Sequence, residues 1–202
     1  MPDQTIRYEI RPSTESTFIL EVFKTGLLTG KKHLLFFEQY AGEIDYNRER
    51  PEGSTVRLTV QASSVTCQDP WIKSKDRRKK IAEVAVNDMM AANQYPQLNF
   101  CSTRVTSQAK GQYEIEGSLT VRGIAKPVTL HAAVRPVGEH RLELDGDAQI
   151  DLKDYGIKPP SVLLGVVGTK SKMTLRFLTW AEKSVGREKA FTDCAPPPVP
   201  AQ

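Results

Sequence analysis

Three histidines, three cysteines and one dense run of lysine and arginine are the residues of this 202-residue chain best suited to chemistry. His33, His131 and His140 stand far apart, at no spacing that pairs two imidazoles as metal ligands. His131 falls on the polar side of an alternating run and reads as a surface residue. His33 is the one histidine inside a patterned stretch, GLLTGKKHLLFF, and the one candidate for a ligand role. Cys67, Cys101 and Cys194 are odd in number, form no C-x-x-C pair and have no histidine at a diagnostic spacing. That pattern suits buried, reduced thiols and argues against a disulfide framework. GVVGTKS resembles a phosphate loop superficially, but Thr169 separates Gly168 from Lys170 and no helical pattern follows. Asp151 and Asp154 beside Tyr155 are accounted for by the polar face of a strand end. No nucleophile, base and oxyanion site assemble from these residues, so an enzyme is not expected, nor a metal or cofactor.

The basic run lies between Lys73 and Lys80, where six cations face only Asp76, although the whole chain carries +4. Its plain reading is a solvated helix start. Its functional reading is peripheral contact with an anionic membrane. Nucleic acid is disfavoured, because no stacking-aromatic motif or zinc-finger spacing accompanies it.

These residues must be positioned by strands. From Tyr113 to Val121 the chain alternates strictly, with Ile115, Gly117 and Leu119 on one side and Glu114, Glu116, Ser118 and Thr120 on the other. Val128 to Val134 alternates again, and Gly123 and Pro127 sit in the break, which predicts a long two-faced hairpin. Similar runs occur at Ile6–Ile10, Thr17–Phe23, Val56–Ala62, Leu98–Ser102, Leu142–Ile150 and Met173–Phe177. The stretch from His33 through HLLFFEQYAGEIDY is apolar on both faces at first, as in a strand covered on both sides or bent by a bulge. One helix is predicted, from Ser74 to Ala92, with Ile81, Val84, Ala85, Met89 and Ala92 at helical spacing. Tyr95 and Pro96 end it.

The result is an all-β chain with one main helix. About eight two-faced antiparallel strands close most economically into a barrel. Residues 1–182 read as a single domain and 183–202 as a proline-rich tail too poor in apolar residues to pack, expected to be disordered. No stretch reaches the length of a membrane span; Val162 to Val167, the most apolar, is far too short. The N-terminus lacks the pattern of a secretory signal, so the cytoplasm is the expected compartment. Small inward residues, Gly117, Ala62, Ala132, Gly146 and Ala148, would leave room inside such a barrel.

GSLTVRGIAKPVTL resembles the G-x-L-T-x-R-G-[VI]-x-[KR]-x-V-x-L signature of the YceI-like family of lipocalin-like, isoprenoid-binding barrels. YPQLNFCSTRV is similar to that family's Y-P-x-[IL]-x-F-x-S segment, and KDYGIKP to its [DE]-[FY]-G-I segment. Phe37, Tyr40 and Gly42 fit its F-x-x-F-x-G strand. The four blocks keep their order between Thr17 and Trp180. The resemblance implies an eight-stranded antiparallel barrel, an apolar tunnel, a polyisoprenoid, isoprenoid quinone or other lipid as ligand, and a homodimer. Two departures stand out. Leu35 occupies a position where relatives commonly have glycine, which would narrow the tunnel. His33 is single where a related subgroup carries a His-x-His pair.

The wall residues expected to touch such a ligand are Phe18, Leu20, Val22, Phe37, Leu58, Val60, Met89, Phe100, Leu119, Val121, Leu130, Ile150, Tyr155, Met173 and Leu175. Val162 to Val167 is the candidate lid. The competing expectation is a cytoplasmic stress or interaction module whose barrel is packed solid and whose surface does the work.

Overall fold

The computed structural model describes residues 5–162 and 166–184. Its strands are β1 (Thr5–Ile10), β2 (Thr17–Gly26), β3 (Lys32–Phe37), β4 (Tyr40–Asn47), β5 (Thr55–Gln61), β6 (Val65–Cys67), β7 (Gln97–Ala109), β8 (Gln112–Val121), β9 (Ile124–Val137), β10 (Arg141–Asp151), β11 (Ser161–Val162), β12 (Val167–Thr169) and β13 (Lys172–Lys183). The helix α1 spans Lys75–Val84.

All the ladders are antiparallel, and they close into a barrel of eight staves. Three staves are bent, each made of two consecutive strands. β1 and β2 both pair with β13, one at each end of it. β3 pairs with β2 and β4 with β1, so the run beginning at His33 is one stave that turns at Glu38–Gln39. β5 pairs with β4 and β6 with β3, separated by a single 3-10 turn at Ala62–Ser64. The two-sided apolar pattern of HLLFF is therefore a bend and not a doubly covered strand. β7, β8, β9, β10 and β13 complete the ring in sequence order. Closure covers most ladder edges; among the described residues β6 still pairs on one side only, and β9 before Leu130 has no partner on the β10 side.

The central hairpin is tighter than its sequence suggested. Val121 pairs with Ile124, so the turn is only Arg122–Gly123, both with positive φ (50° and 72°). This is the geometry of a type I′ turn, whose twist matches that of the strands. Pro127 lies inside β9, opposite Ser118. The β10 ladder reaches β9 only as far as Leu130, so the missing N–H of Pro127 interrupts no bond there.

Two inward glycines do not leave space. A Cβ on Gly117 would lie 2.4 Å from the Phe100 ring, and one on Gly146 would lie 2.6 Å from Phe177. Each glycine is the seat for a neighbouring strand's aromatic ring, a packing that pins register. Ala62 is wholly buried away from the lumen, while Ala132 and Ala148 do face it.

One end of the barrel, here the upper end, carries the Gly26–Gly30 turn, the helix and the segment Leu152–Ile157. Ser74 caps α1 by accepting a hydrogen bond from the Arg77 amide. The helix is shorter than the periodicity predicted. After Val84 it widens into a π turn at Ala85–Met89, with the Met90 amide donating to the Ala85 carbonyl at 3.0 Å. Ala91, at φ 49°, ends it. The last strand runs to Lys183, and the Ser184 amide donates to the Arg7 carbonyl at 2.9 Å. The proposed tail beyond that point lies outside the described residues, as do 163–165 of the candidate lid.

Candidate functional site: an apolar lumen

The inward faces of the staves enclose a cavity of about 180 Å³. It runs from Tyr46 and Tyr113 near the lower end, past Phe100, Leu130 and Leu175, to Met89 and Tyr155 beneath the helix. Among the described residues its only polar side chains are Ser54, Thr179 and those three tyrosines. The Tyr46 and Tyr113 hydroxyls bond each other at 3.2 Å. Burial, and then that bond, push the Tyr46 phenol up to about 12. Burial, with the Asp154 charge nearby, pushes Tyr155 up to about 12. Both stay neutral at neutral pH, so the wall they form carries no charge.

Phe18, Leu20, Phe37, Leu58, Val60, Met89, Phe100, Leu119, Val121, Leu130, Ile150, Tyr155, Met173 and Leu175 all border the cavity. Val22 does not. It is buried but sits one pleat above Leu20, opposite His33, where a polar cluster occupies the end of the stave. Leu35 also borders the lumen, consistent with a narrowing there. Ile115, Leu142 and Leu144 belong to the same alternations as residues already named, so periodicity alone would have found them. Met90 was hidden, because only the π turn brings both it and Met89 to the cavity. Ser161–Val162 and Val167–Thr169 pair with each other and extend the β2 edge as a ribbon; neither Ser161 nor any residue of Val167–Thr169 borders the cavity.

The polar cluster joins residues that look unrelated in sequence. His33 Nδ1 lies 2.5 Å from Asp69 Oδ2, and the Leu34 amide donates to Asp69 Oδ1 at 2.6 Å. Trp71 stacks on the His33 ring at 5.5 Å and donates from Nε1 to the Lys32 carbonyl. His33, Cys67 and Asp69 bring an imidazole nitrogen, a thiol and a carboxylate within 4.8 Å of one another. This mixed donor set is of a kind that a zinc-like ion accepts. In the fold each donor's partner is another member of the cluster, which clasps the end of β6 to β3. Burial pushes the Cys67 thiol up to about 11, so it stays protonated and is no nucleophile. Burial alone would raise Asp69; its bonds to His33 and the Leu34 amide outweigh this and hold the carboxyl below its ordinary range.

Cys101 is disulfide-bonded, which corrects the expectation of reduced thiols throughout; Cys67 is free and buried. Wide spacing in sequence says nothing about distance in a fold, and the cysteine argument for a reducing compartment falls with it. His131 is exposed on its strand, 4.0 Å from Glu114. Asp151 caps the turn at Leu152–Tyr155 by accepting from the Lys153 amide. The Lys73–Lys80 run lies on the exposed side of α1 and its approach. No helix among the described residues is long and apolar enough to cross a membrane.

A closed antiparallel barrel with a capping helix and an apolar lumen defines a lipocalin-like class of fold. The family model of the YceI-like domain matches residues 8–178, and the chain belongs to that family. It is 28% identical over 148 residues to a UPF0312 protein of Pseudomonas putida (strain GB-1), covering 67% of this chain and 73% of that protein. A UPF0312 protein of Shewanella baltica (strain OS185) is 28% identical over 127 residues, 60% of this chain and 62% of its own. The crystal structure of Burkholderia cenocepacia BcnA superposes with a TM-score of 0.65 at 18% identity, covering 82% of this chain and 95% of that one. A polyisoprenoid binding domain from Saccharophagus degradans superposes with a TM-score of 0.59 at 13% identity, covering 90% and 100%. These structural likenesses concern the fold.

Proposed function

We propose that the barrel binds an apolar amphiphile, a prenyl or acyl chain, along its lumen, and stores or carries it. The observation that carries this reading is the continuous uncharged cavity between Tyr113 and Met89. The solved polyisoprenoid binding domain of like fold supports the ligand class. A hydrocarbon gains by leaving water without needing any directed bond. Ten buried carbons, at about 0.8 kcal/mol each, gain about 8 kcal/mol before association and ordering costs. Micromolar affinity corresponds to about 8 kcal/mol net, so ten carbons fall short once those costs are subtracted, and tighter binding needs a longer buried chain. The volume suits a short segment, so a longer chain has to displace flexible lining such as Met89 and Met90.

The test is extraction of the purified protein with organic solvent, followed by mass spectrometry, and titration of the stripped protein with a fluorescent prenyl probe. Saturable, one-to-one uptake of the probe is the expected result. Absence of both an extracted apolar compound and probe uptake would refute the reading.

A further inference from the structure

The upper end of the barrel has a surface feature that ligand binding does not use. Leu27, at the tip of the Gly26–Gly30 turn, is 80% exposed, and Val166 beside it is 55% exposed. The two are fixed together, because the Leu27 amide donates to the Val166 carbonyl at 3.1 Å. The turn is not a loose loop: the Lys24 amide closes it on the Lys31 carbonyl at 2.9 Å, and β12 pairs with β2 immediately below. Two large apolar side chains thus project from a rigid support into solvent.

Cations surround this tip. Lys31 belongs to the turn itself. Lys32 and Lys170 both lie over the Phe23 ring, 6.0 Å from its centroid. The Trp71 bond to the Lys32 carbonyl brings Lys73 and the start of α1 to the same end. Lys153 and Lys172, exposed at the ends of neighbouring staves, extend the set. Two carboxylates nearby are out of play: Glu21 is buried and paired with Lys32, which uses that lysine as well, and Asp69 is buried against His33. Asp76, Asp88 and Asp154 are exposed acids on the helix and turns of this end, and Glu83 of α1 is paired with Lys80.

From this geometry we infer that the upper end docks on an anionic lipid bilayer, with Leu27 and Val166 entering the interface and the lysines contacting headgroups. Charge complementarity favours anionic headgroups, each lysine near the surface adding attraction. The apolar tip favours a bilayer over a nucleic acid, which offers it no apolar phase. The inference relocates the contact foreseen for the Lys73–Lys80 run to the turn, with the helix start as its flank. It does not rest on the ligand reading, although it would place the Met89 end of the lumen next to the lipid.

The experiment is co-sedimentation with phosphatidylcholine vesicles, with and without an equal part of phosphatidylglycerol, at low and high salt. Binding only to the anionic vesicles, weakening as salt rises, is expected. Lys31→Glu and Lys73→Glu should each weaken it roughly fivefold or more. Leu27→Asp changes only an exposed side chain, so the fold, checked by circular dichroism, should survive while vesicle binding falls at least tenfold. Probe uptake in vesicle-free solution should be unchanged in all three variants, which separates this idea from the lumen reading. No binding to anionic vesicles at low salt would overturn the inference. So would binding indifferent to Leu27→Asp or to the lysine changes, and so would binding to duplex DNA without binding to vesicles.

Discussion

Ala148 offers the sharpest handle on the lumen. It lies in mid-stave, pairs with Leu130 and Leu175, and faces the cavity with almost no exposure. Ala148→Phe would aim one aromatic ring into the void. An apolar cavity of about 150 Å³ is filled by a single benzene, and the lumen measures about 180 Å³. The ring would therefore claim most of the space a guest could use. Evicting five ligand carbons, at about 0.8 kcal/mol each, costs about 4 kcal/mol of binding. That is about a thousandfold in Kd. The ring enters an existing void, so overpacking should cost no more than about 1–3 kcal/mol of stability. The assay is the fluorescent prenyl titration on stripped wild type and variant, with chemical denaturation as the control for folding. A folded Ala148→Phe protein that binds the probe as tightly as wild type would show that the ligand lies elsewhere.

Two further outcomes test the framework around the lumen. Gly117→Ala should destabilise by about 1–3 kcal/mol, since the added methyl would meet both the Phe100 ring and the Cys101 carbonyl, the latter at 2.6 Å; urea unfolding measures it, and a neutral result would mean that the ring is free to move. Asp69, held below its ordinary range in the fold, contributes stability that is present above the unfolded-state value near 3.9 and lost as pH falls through the folded value. Acid unfolding of the wild type should therefore steepen below about pH 4, and Asp69→Asn should flatten that limb while lowering stability at neutral pH.

Most of the architecture was legible because one sheet face is dry and the other wet. The alternations at Thr17–Phe23, Val56–Ala62, Leu98–Ser102, Tyr113–Val121, Val128–Val134, Leu142–Ile150 and Met173–Phe177 marked both the strands and the side that faces inward, and hence most of the wall residues named from sequence. Val22 was misplaced because alternation gives direction and not depth: it points inward above the level where the lumen ends. The glycines were misread for a related reason. An absent side chain at Gly117 or Gly146 looks like space until the ring of Phe100 or Phe177 on another strand is known to occupy it. The π turn left no periodic trace, because five residues are too few to shift a helical pattern visibly. The His33–Cys67–Asp69 cluster was invisible for topological reasons, since its members come together only when β6 pairs with β3.

The bends that divide three staves have a mechanical consequence. Above them β3 is held to β6 by three residue pairs and to β2 by five, whereas β10 and β13 share eleven. Cooperative opening follows such differences in ladder length, so thermal motion should unzip the β3–β6 seam well before the β10–β13 side parts. Amide exchange would register this as early deuteration of Phe36 and Thr66, the pair whose amides face each other across the seam. A tube built this way has a stiff back and a hinged front, and the front adjoins the helix.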